Sequence, residues 1–104
     1  RPGDKVFAIQ VGDGHKAYAL STDSDWLLND VVGGESVVVI GRTRGPTAVA
    51  YFSRANGRAL HFRLDDGFLE DEETGSRWDD GGIAVSGPLA GAQLTAVPSR
   101  TAFW

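Results

Sequence analysis

The chain has 104 residues, of which 41% are hydrophobic and 23% are charged, as is typical of a single ordinary globular domain. Its net charge of −4 argues against a nucleic-acid partner, because neutralising phosphates requires a basic surface. It contains no cysteine and no methionine, which excludes disulfides, a thiolate nucleophile and sulfur-ligated metal sites.

The predicted elements are short β-strands separated by glycine turns. Residues 37–40, Val-Val-Val-Ile, are apolar without interruption, which is typical of a central strand covered on both faces. Asn56-Gly57 predicts a tight hairpin, because a type I′ turn needs positive φ at both central residues. In chain order, strands are predicted at residues 6–11, 16–20, 36–41, 47–53, 59–64, 68–70, 83–85 and 93–97. The pattern predicts an all-β fold, a small antiparallel sandwich or partly open barrel of about seven or eight short strands.

The segment that precedes the central strand gives only a weak signal. Residues 21–26 predict one or two helical turns, because Thr22 and Asp25 stand at capping-box spacing. Asn29 and Asp30 are interpreted as a turn, because both side chains can replace backbone hydrogen-bond partners. Helix therefore contributes little to the predicted fold.

Charge is segregated along the chain. Residues 65–80 carry eight carboxylates and one arginine, whereas residues 42–63 carry five arginines and no acidic residue. This distribution suits either docking on charged partners or pairing within the folded chain. We interpret the acidic run as a solvated rim and keep calcium binding as the alternative, because calcium prefers several oxygen ligands.

Two turns in the C-terminal part have a composition that specifies backbone shape. The first, residues 73–78, reads Glu-Thr-Gly-Ser-Arg-Trp, and the second, residues 87–91, reads Gly-Pro-Leu-Ala-Gly. Glycine enters positive-φ space at little cost and proline fixes φ, so these residues restrict the path of the chain. Trp78 is expected to pack beneath the first turn. The alternative is a site for a small ligand or calcium formed by Asp71, Thr74, Ser76 and Trp78.

Aromatic and basic residues outside the predicted strands are candidate contacts with a protein partner. Tryptophan is enriched at interface hot spots, and the arginine fork binds carboxylates through two hydrogen bonds. An aromatic chain end and a basic loop after the central strand therefore predict a docking surface. The candidate residues are Arg42, Arg44, Trp26, Phe103 and Trp104.

An ordered series of segments resembles a bacterial and archaeal family catalogued as domain of unknown function 3179. The segments are residues 16–20, 29–35, 37–39, 47–52, 60–62, 71–78, 87–91 and 102–104. Proteins of that family are commonly exported or membrane-anchored and longer than this chain. The resemblance therefore implies an extracytoplasmic setting, periplasmic or exported. It also implies that residues 1–104 are a single β domain of a longer exported or membrane-anchored protein.

The chain departs from the family pattern directly after the central strand. Relatives typically carry Tyr-Cys-Pro-Leu-Cys-Gly-Thr there, whereas residues 40–47 read Ile-Gly-Arg-Thr-Arg-Gly-Pro-Thr. If the cysteines bind metal or do redox chemistry in relatives, this chain has lost that chemistry while keeping the scaffold. The two arginines in the loop suit contact with an acidic partner.

The residues and the resemblance together support three functional hypotheses. The first is a non-catalytic extracytoplasmic accessory or structural subunit that docks on other protein subunits of a larger membrane-associated assembly. The second is a small-ligand or calcium-binding module, with no cofactor expected other than calcium. The third is an enzyme of unknown reaction, with pocket residues drawn from Asn29, Asp30, Lys16, Tyr18 and His61. No membrane-spanning segment is expected, because no apolar run approaches the roughly 20 residues that a membrane helix needs.

Overall fold

The computed structural model describes residues 5–20, 23–43 and 47–103, and every regular element within them is a β-strand. The strands are β1 (Lys5–Val11), β2 (Gly14–Ala19), β3 (Trp26–Val32), β4 (Glu35–Arg42), β5 (Thr47–Phe52), β6 (Arg54–Ala55), β7 (Arg58–Ala59), β8 (Phe62–Asp65), β9 (Phe68–Asp71), β10 (Arg77–Trp78), β11 (Ala84–Ser86) and β12 (Ser99–Phe103). All their pairings are antiparallel. The predicted all-β class is confirmed, as a sandwich-like stack of sheets rather than a closed barrel.

The strands form three sheets and one separate hairpin. The first sheet has the order β12-β1-β2, the central sheet β3-β4-β5 and the third sheet β11-β10-β9-β8. The separate hairpin, β6-β7, turns at Asn56 and Gly57, whose φ values are 54° and 74°. Both values are positive, so the hairpin predicted from these two residues is confirmed.

β4 lies at the centre of the hydrophobic core. Val37 and Val39 pack in a cluster with apolar side chains of the first sheet, whereas Val38 and Ile40 pack in a cluster with side chains of the third sheet. All four side chains are at most 1% exposed. Because alternate residues of a strand point to opposite faces, the central sheet is covered on both sides, as the unbroken apolar run predicts. Burial of each side chain contributes about 1.5–3 kcal/mol.

β3 occupies the place of a predicted turn. It pairs with β4 over its whole length and includes Asn29 and Asp30, so the turn predicted for these two residues is wrong. Their side chains bond to other elements instead, Asn29 to the backbone of Phe62 and Asp30 to the hydroxyl of Tyr18. Two glycines with φ of 59° and 80° form the tight turn that pairs β3 with β4.

Long-range pairing also decides the structure of two other segments. Residues 23–25 are not helical, and β3 begins directly after them; residues 21–22 of the predicted helical turns lie outside the described residues. No strand is predicted after residue 97, yet β12 pairs with β1 and completes the first sheet. In both places the pairing of strands distant in sequence outweighs a weak local preference.

The strand predicted at residues 93–97 forms two isolated bridges instead of a ladder. Its first residue pairs with Ile83 and its fourth with Tyr51, so the segment changes partner partway. Two backbone hydrogen bonds of 2.9 Å hold its second half against β5. The segment therefore covers the edge of the central sheet.

Candidate functional site

The turn at residues 73–78 is built around a buried carboxylate. Asp71, 0% exposed at the end of β9, accepts a hydrogen bond from Trp78 Nε1 at 2.9 Å on its Oδ1 atom. Its Oδ2 atom accepts two hydrogen bonds from Thr74, from the backbone N and from Oγ1, both at 2.7 Å. Hydrogen bonds to a carboxylate are stronger than those between neutral groups. Asp71 thus fixes both the backbone of the turn and the ring of Trp78.

Ser76 joins this turn to the Gly-Pro-Leu-Ala-Gly turn. Its hydroxyl shares a hydrogen bond of 2.7 Å with Thr74 Oγ1 and accepts one from Leu89 N at 2.9 Å. A Cβ at Gly87 would lie 2.7 Å from Ser76 Cα, and the φ of Gly87 is 90°, so this position requires glycine for two reasons. The two turns form one structural unit, which we call the paired turns (residues 71–78 and 87–91).

The structure brings together Asp71, Thr74, Ser76 and Trp78, the residues predicted for a ligand or calcium. Trp78 is 3% exposed, and its ring meets the ring of Phe62 edge-on with centroids 5.5 Å apart, which confirms the expected packing beneath the turn. The polar atoms of the four residues bond to one another, which favours a structural role. Within the described ranges, no group of three or more His, Asp or Glu side chains is placed to hold a metal ion. Ligand and calcium binding here stay predictions.

Arg42, at the end of β4, directs its guanidinium to two carboxylates of its own chain. Nε and Nη2 donate to Asp80 at 3.0 and 2.8 Å, and Nη1 donates to Asp25 at 3.0 Å. Thr43 N donates to Asp25 at 2.9 Å, and this bond, followed by the one from Arg42, lowers the pKa of Asp25. Arg42 therefore links the segment before β3 to the loop before β11.

The other predicted contact residues are spread over the fold or lie outside the described residues. The ring of Trp26 is partly buried and occupies the place that a side chain at position 41, a glycine, would take. Phe103 lies in β12, paired with the first residue of β1. Arg44 and Trp104 lie outside the described residues. The role of all of them in partner binding stays a prediction.

Arginines and carboxylates pair with each other across the third sheet. Arg63 and Arg77 both contact Glu70, and Arg77 Nη2 lies 3.0 Å from Asp65 Oδ2. The Arg77 guanidinium also lies 4.7 Å from the centre of the Phe68 ring. Solvent screens these pairs, so each stabilises the fold little. Together they place charge on the outer face of the third sheet, beside the exposed ring of Phe68.

A pocket of about 250 Å³ lies beside His61, and we call it the polar pocket. Three of the residues predicted for an active site, Asn29, Asp30 and His61, line it. The other two, Lys16 and Tyr18, contact Asp30 Oδ2 at 3.3 and 2.8 Å. Enzymatic activity at this pocket stays a prediction. The complete lining is Asn29, Asp30, Val31, Ser36, Val37, Ser53, Leu60 and His61.

Two bidentate contacts hold His61 at the pocket. Asn29 Nδ2 donates to Phe62 O at 2.8 Å, and Asn29 Oδ1 accepts from Phe62 N at 2.9 Å, so the amide acts as a strand partner of the residue next to His61. Glu73 Oε1 accepts from His61 N at 2.8 Å, and Glu73 Oε2 lies 2.7 Å from His61 Nδ1. Because Nδ1 is engaged by Glu73, Nε2 is the ring nitrogen that remains to meet a ligand.

Asp30 and Tyr18 form a fixed acceptor and donor behind the pocket. Burial, followed by the hydrogen bond to Asp30, raises the pKa of the Tyr18 hydroxyl. Burial also acts to raise the pKa of Asp30, but hydrogen bonds from Tyr18, Val31 N and Lys16 outweigh it and lower that pKa. At neutral pH, Tyr18 is therefore a neutral donor and Asp30 an ionised acceptor.

Replacing Glu73 by glutamine is expected to lower the pKa of His61. The hydrogen bond to Glu73 is the largest cause that raises the His61 pKa, and the charge of Glu73 is the next. Because the folded-state pKa of His61 is raised, its contribution to stability is complete below the unfolded-state pKa. That contribution is lost as pH rises through the folded-state pKa.

An NMR titration of the imidazole signals in wild type and Glu73→Gln measures this effect. His15 supplies the second histidine signal and is a control that the substitution should leave unchanged. Equal midpoints for His61 in the two proteins would contradict the assigned contact. The wild type is also expected to lose more stability than the variant as pH rises through the His61 transition.

The outer face of the first sheet carries small apolar side chains. Alternation in β1 turns Phe7 and Ile9 into the core and leaves Ala8 on the opposite face. Ala8 pairs with Ala17 of β2 and Arg100 of β12. The apolar residues that share this face are Val6, Ala8, Ala17, Ala19 and Ala102. Sequence reasoning missed this surface, although the alternation along residues 6–10 is its signal.

A shallow groove of about 720 Å³ runs over this face, and we call it the outer groove. Ala8 and Ala17 lie on its floor, and His15 and Arg100 also line it. Among residues 5–20, 23–43 and 47–103, no carboxylate lines it. The lining residues are Ala8, Ile9, Gln10, His15, Lys16, Ala17, Pro98, Ser99 and Arg100.

The sheets and the paired turns define a small all-β domain whose C-terminal part is fixed by a buried Asp–Trp hydrogen bond. The chain belongs to the family described as protein of unknown function, DUF3179, which matches residues 1–104. The family resemblance of the ordered segments is thereby confirmed. No curated protein and no solved structure matches the chain. The described part of the chain contains no helix of the length and apolar character needed to cross a membrane.

Proposed function

We propose that the domain is a non-catalytic accessory subunit that docks on other protein subunits of a larger, extracytoplasmic, membrane-associated assembly. The outer groove is its docking surface. The observation that carries the proposal is the exposed apolar face of the first sheet. The extracytoplasmic and membrane-associated setting is the one that the family resemblance implies.

A comparison of the sheet faces supports this choice of surface. The central strand β4 is buried on both sides, and the outer face of the third sheet carries paired charges together with the exposed side chains of Phe68 and Val85. The outer face of the first sheet differs from both, because accessible alanine side chains lie there beside His15 and Arg100. Alanine loses no side-chain entropy when it is immobilised. Binding through such a face therefore costs little conformational entropy.

The charge along the outer groove indicates the chemistry of the partner. Arg100 has no ion-pair partner among residues 5–20, 23–43 and 47–103. An arginine fork that the described residues do not engage is complementary to a carboxylate. The partner is therefore a protein surface of small apolar residues that also presents an Asp or Glu side chain to Arg100.

Replacing Ala17 by glutamate is expected to abolish docking while the fold is retained. Ala17 is exposed in the middle of the outer groove, and a carboxylate there would be desolvated opposite a partner that itself presents an acid. Such like-charge juxtaposition costs several kcal/mol, so we expect at least about a tenfold loss of affinity. Val85→Glu is the matched control, because Val85 is 61% exposed on the third sheet.

The measurement is purification of the full-length protein from its native membranes in mild detergent, followed by native mass spectrometry. Wild type and Val85→Glu are expected to give an assembly of defined stoichiometry that Ala17→Glu does not give. Recovery of the wild type without any partner would contradict the proposal. Recovery of a homodimer that Ala17→Glu disrupts would replace it with self-association.

A further inference from the structure

Ser53 distinguishes the polar pocket from an ordinary surface depression. It is 1% exposed, and its hydroxyl has no hydrogen-bond partner in the described part of the chain. Among the described residues, no enclosed side-chain polar atom lacks a partner, so the Ser53 hydroxyl is not sealed within the core. Since Ser53 lines the polar pocket, we infer that its hydroxyl opens there. A buried polar group of this kind needs a partner, and a ligand in the pocket would supply one.

The charges around the polar pocket balance one another. The His61 ring is paired with Glu73 at 2.7 Å, and Asp30 is paired with Lys16 at 3.3 Å. A charged ligand therefore finds no uncompensated countercharge at the pocket. The balance favours a ligand that is polar but neutral.

The hydrogen-bonding groups of the pocket are of mixed character. A serine hydroxyl donates or accepts, and His61 Nε2 does either according to its protonation. A ligand hydroxyl can both donate and accept a hydrogen bond through one oxygen atom. An amide donates through its nitrogen and accepts through its oxygen. Among the apolar lining residues, Val31 is 63% exposed and provides a surface for a carbon skeleton.

We propose that the polar pocket binds a small neutral compound with several hydroxyl groups, of the polyol or monosaccharide class, with Ser53 Oγ and His61 Nε2 as its principal hydrogen-bonding groups. The polar pocket and the outer groove share no lining residue, although Lys16 of the groove pairs with Asp30 of the pocket. Ligand binding and partner docking are therefore separable in experiment.

The chain has two histidines, which makes an internally controlled binding test possible. The imidazole NMR signals are followed while glycerol, D-glucose, D-galactose or D-mannose is added at constant pH, with acetamide and sodium acetate as the amide and charged probes. At least one neutral hydroxyl compound is expected to shift the His61 signals saturably and to leave the His15 signals in place.

Ser53→Ala is expected to weaken this binding at least tenfold and to retain the fold, because the Ser53 hydroxyl makes no hydrogen bond to residues 5–20, 23–43 or 47–103. Ser99→Ala, a change of an exposed serine in the outer groove, is expected to bind like the wild type. Four results would overturn the proposal. They are no saturable His61 shift with any hydroxyl compound, equal shifts of His15, tighter binding of acetamide or acetate, or unchanged binding by Ser53→Ala.

Discussion

Replacing Asp71 by alanine is expected to destabilise the domain by about 3–5 kcal/mol. The substitution leaves the buried Trp78 Nε1 and the Thr74 backbone N without their acceptor and opens a cavity under the turn. Each unsatisfied buried donor costs about 1–3 kcal/mol. Against the 5–15 kcal/mol that is typical of a native domain, this loss leaves a marginal fold.

Urea unfolding monitored by tryptophan fluorescence and circular dichroism measures the loss. Glu72→Ala changes the exposed neighbour of Asp71 and is expected to remain within about 0.5 kcal/mol of the wild type. Asp71→Asn keeps one acceptor oxygen and is expected to fall between the two. A free energy of unfolding for Asp71→Ala within about 1 kcal/mol of wild type would contradict a structural role for this carboxylate.

Gly87→Ala is expected to be destabilising for two separable reasons. The φ of 90° is strained for any residue with a Cβ, and that Cβ would lie 2.7 Å from Ser76 Cα. A backbone atom cannot move aside as a flexible side chain does, so the paired turns would have to separate. The strain costs about 1–2 kcal/mol, and the overpacking adds about 1–3 kcal/mol.

Gly91 provides a control that isolates the second reason. Its φ is 91°, and no atom lies within 4 Å of the place where its Cβ would be. Gly91→Ala is therefore expected to show the backbone cost alone. The difference between the two variants in thermal or urea unfolding gives the energy of the contact between the turns. Equal destabilisation by both would mean that the close approach of Gly87 to Ser76 contributes nothing.

The fold class was predictable because its signals are local. The alternation of side chains, the glycine turns and the run at residues 37–40 need no knowledge of distant partners. β3 was not predictable in this way, because Asn29 and Asp30 have a low strand preference and their partners lie in β8 and β2. β12 was missed for a similar reason, since its partner β1 stands at the other end of the chain.

The same distinction between local and long-range contacts applies to the candidate sites. The sequence correctly predicted that four side chains of one short turn lie together, those of Asp71, Thr74, Ser76 and Trp78. Residues so close in sequence meet independently of the rest of the fold. The polar pocket forms where β3, β4 and the residue before β8 meet. The sequence does not predict that these distant segments lie close together. The outer groove was missed because alanine gives a weak hydrophobic signal.

Pairing within the chain explains part of the charge segregation of the sequence. Arg42 pairs with Asp80, and Arg63 pairs with Glu70, so that these contacts join the basic and acidic segments. Charged segments that neutralise each other are poor candidates for a partner surface. This leaves the outer groove, with Arg100 unpaired in the described residues, as the surface that best fits docking.

Site-specific photo-crosslinking in native membranes tests the docking proposal most directly. A benzophenone side chain is introduced at Gln10, which lines the outer groove, and in a separate protein at Val85 on the third sheet. We expect one dominant crosslinked product from Gln10 that is absent from Val85 and is lost when Arg100→Glu is added. No product from Gln10, or the same product from both positions, would contradict the outer groove as the docking surface.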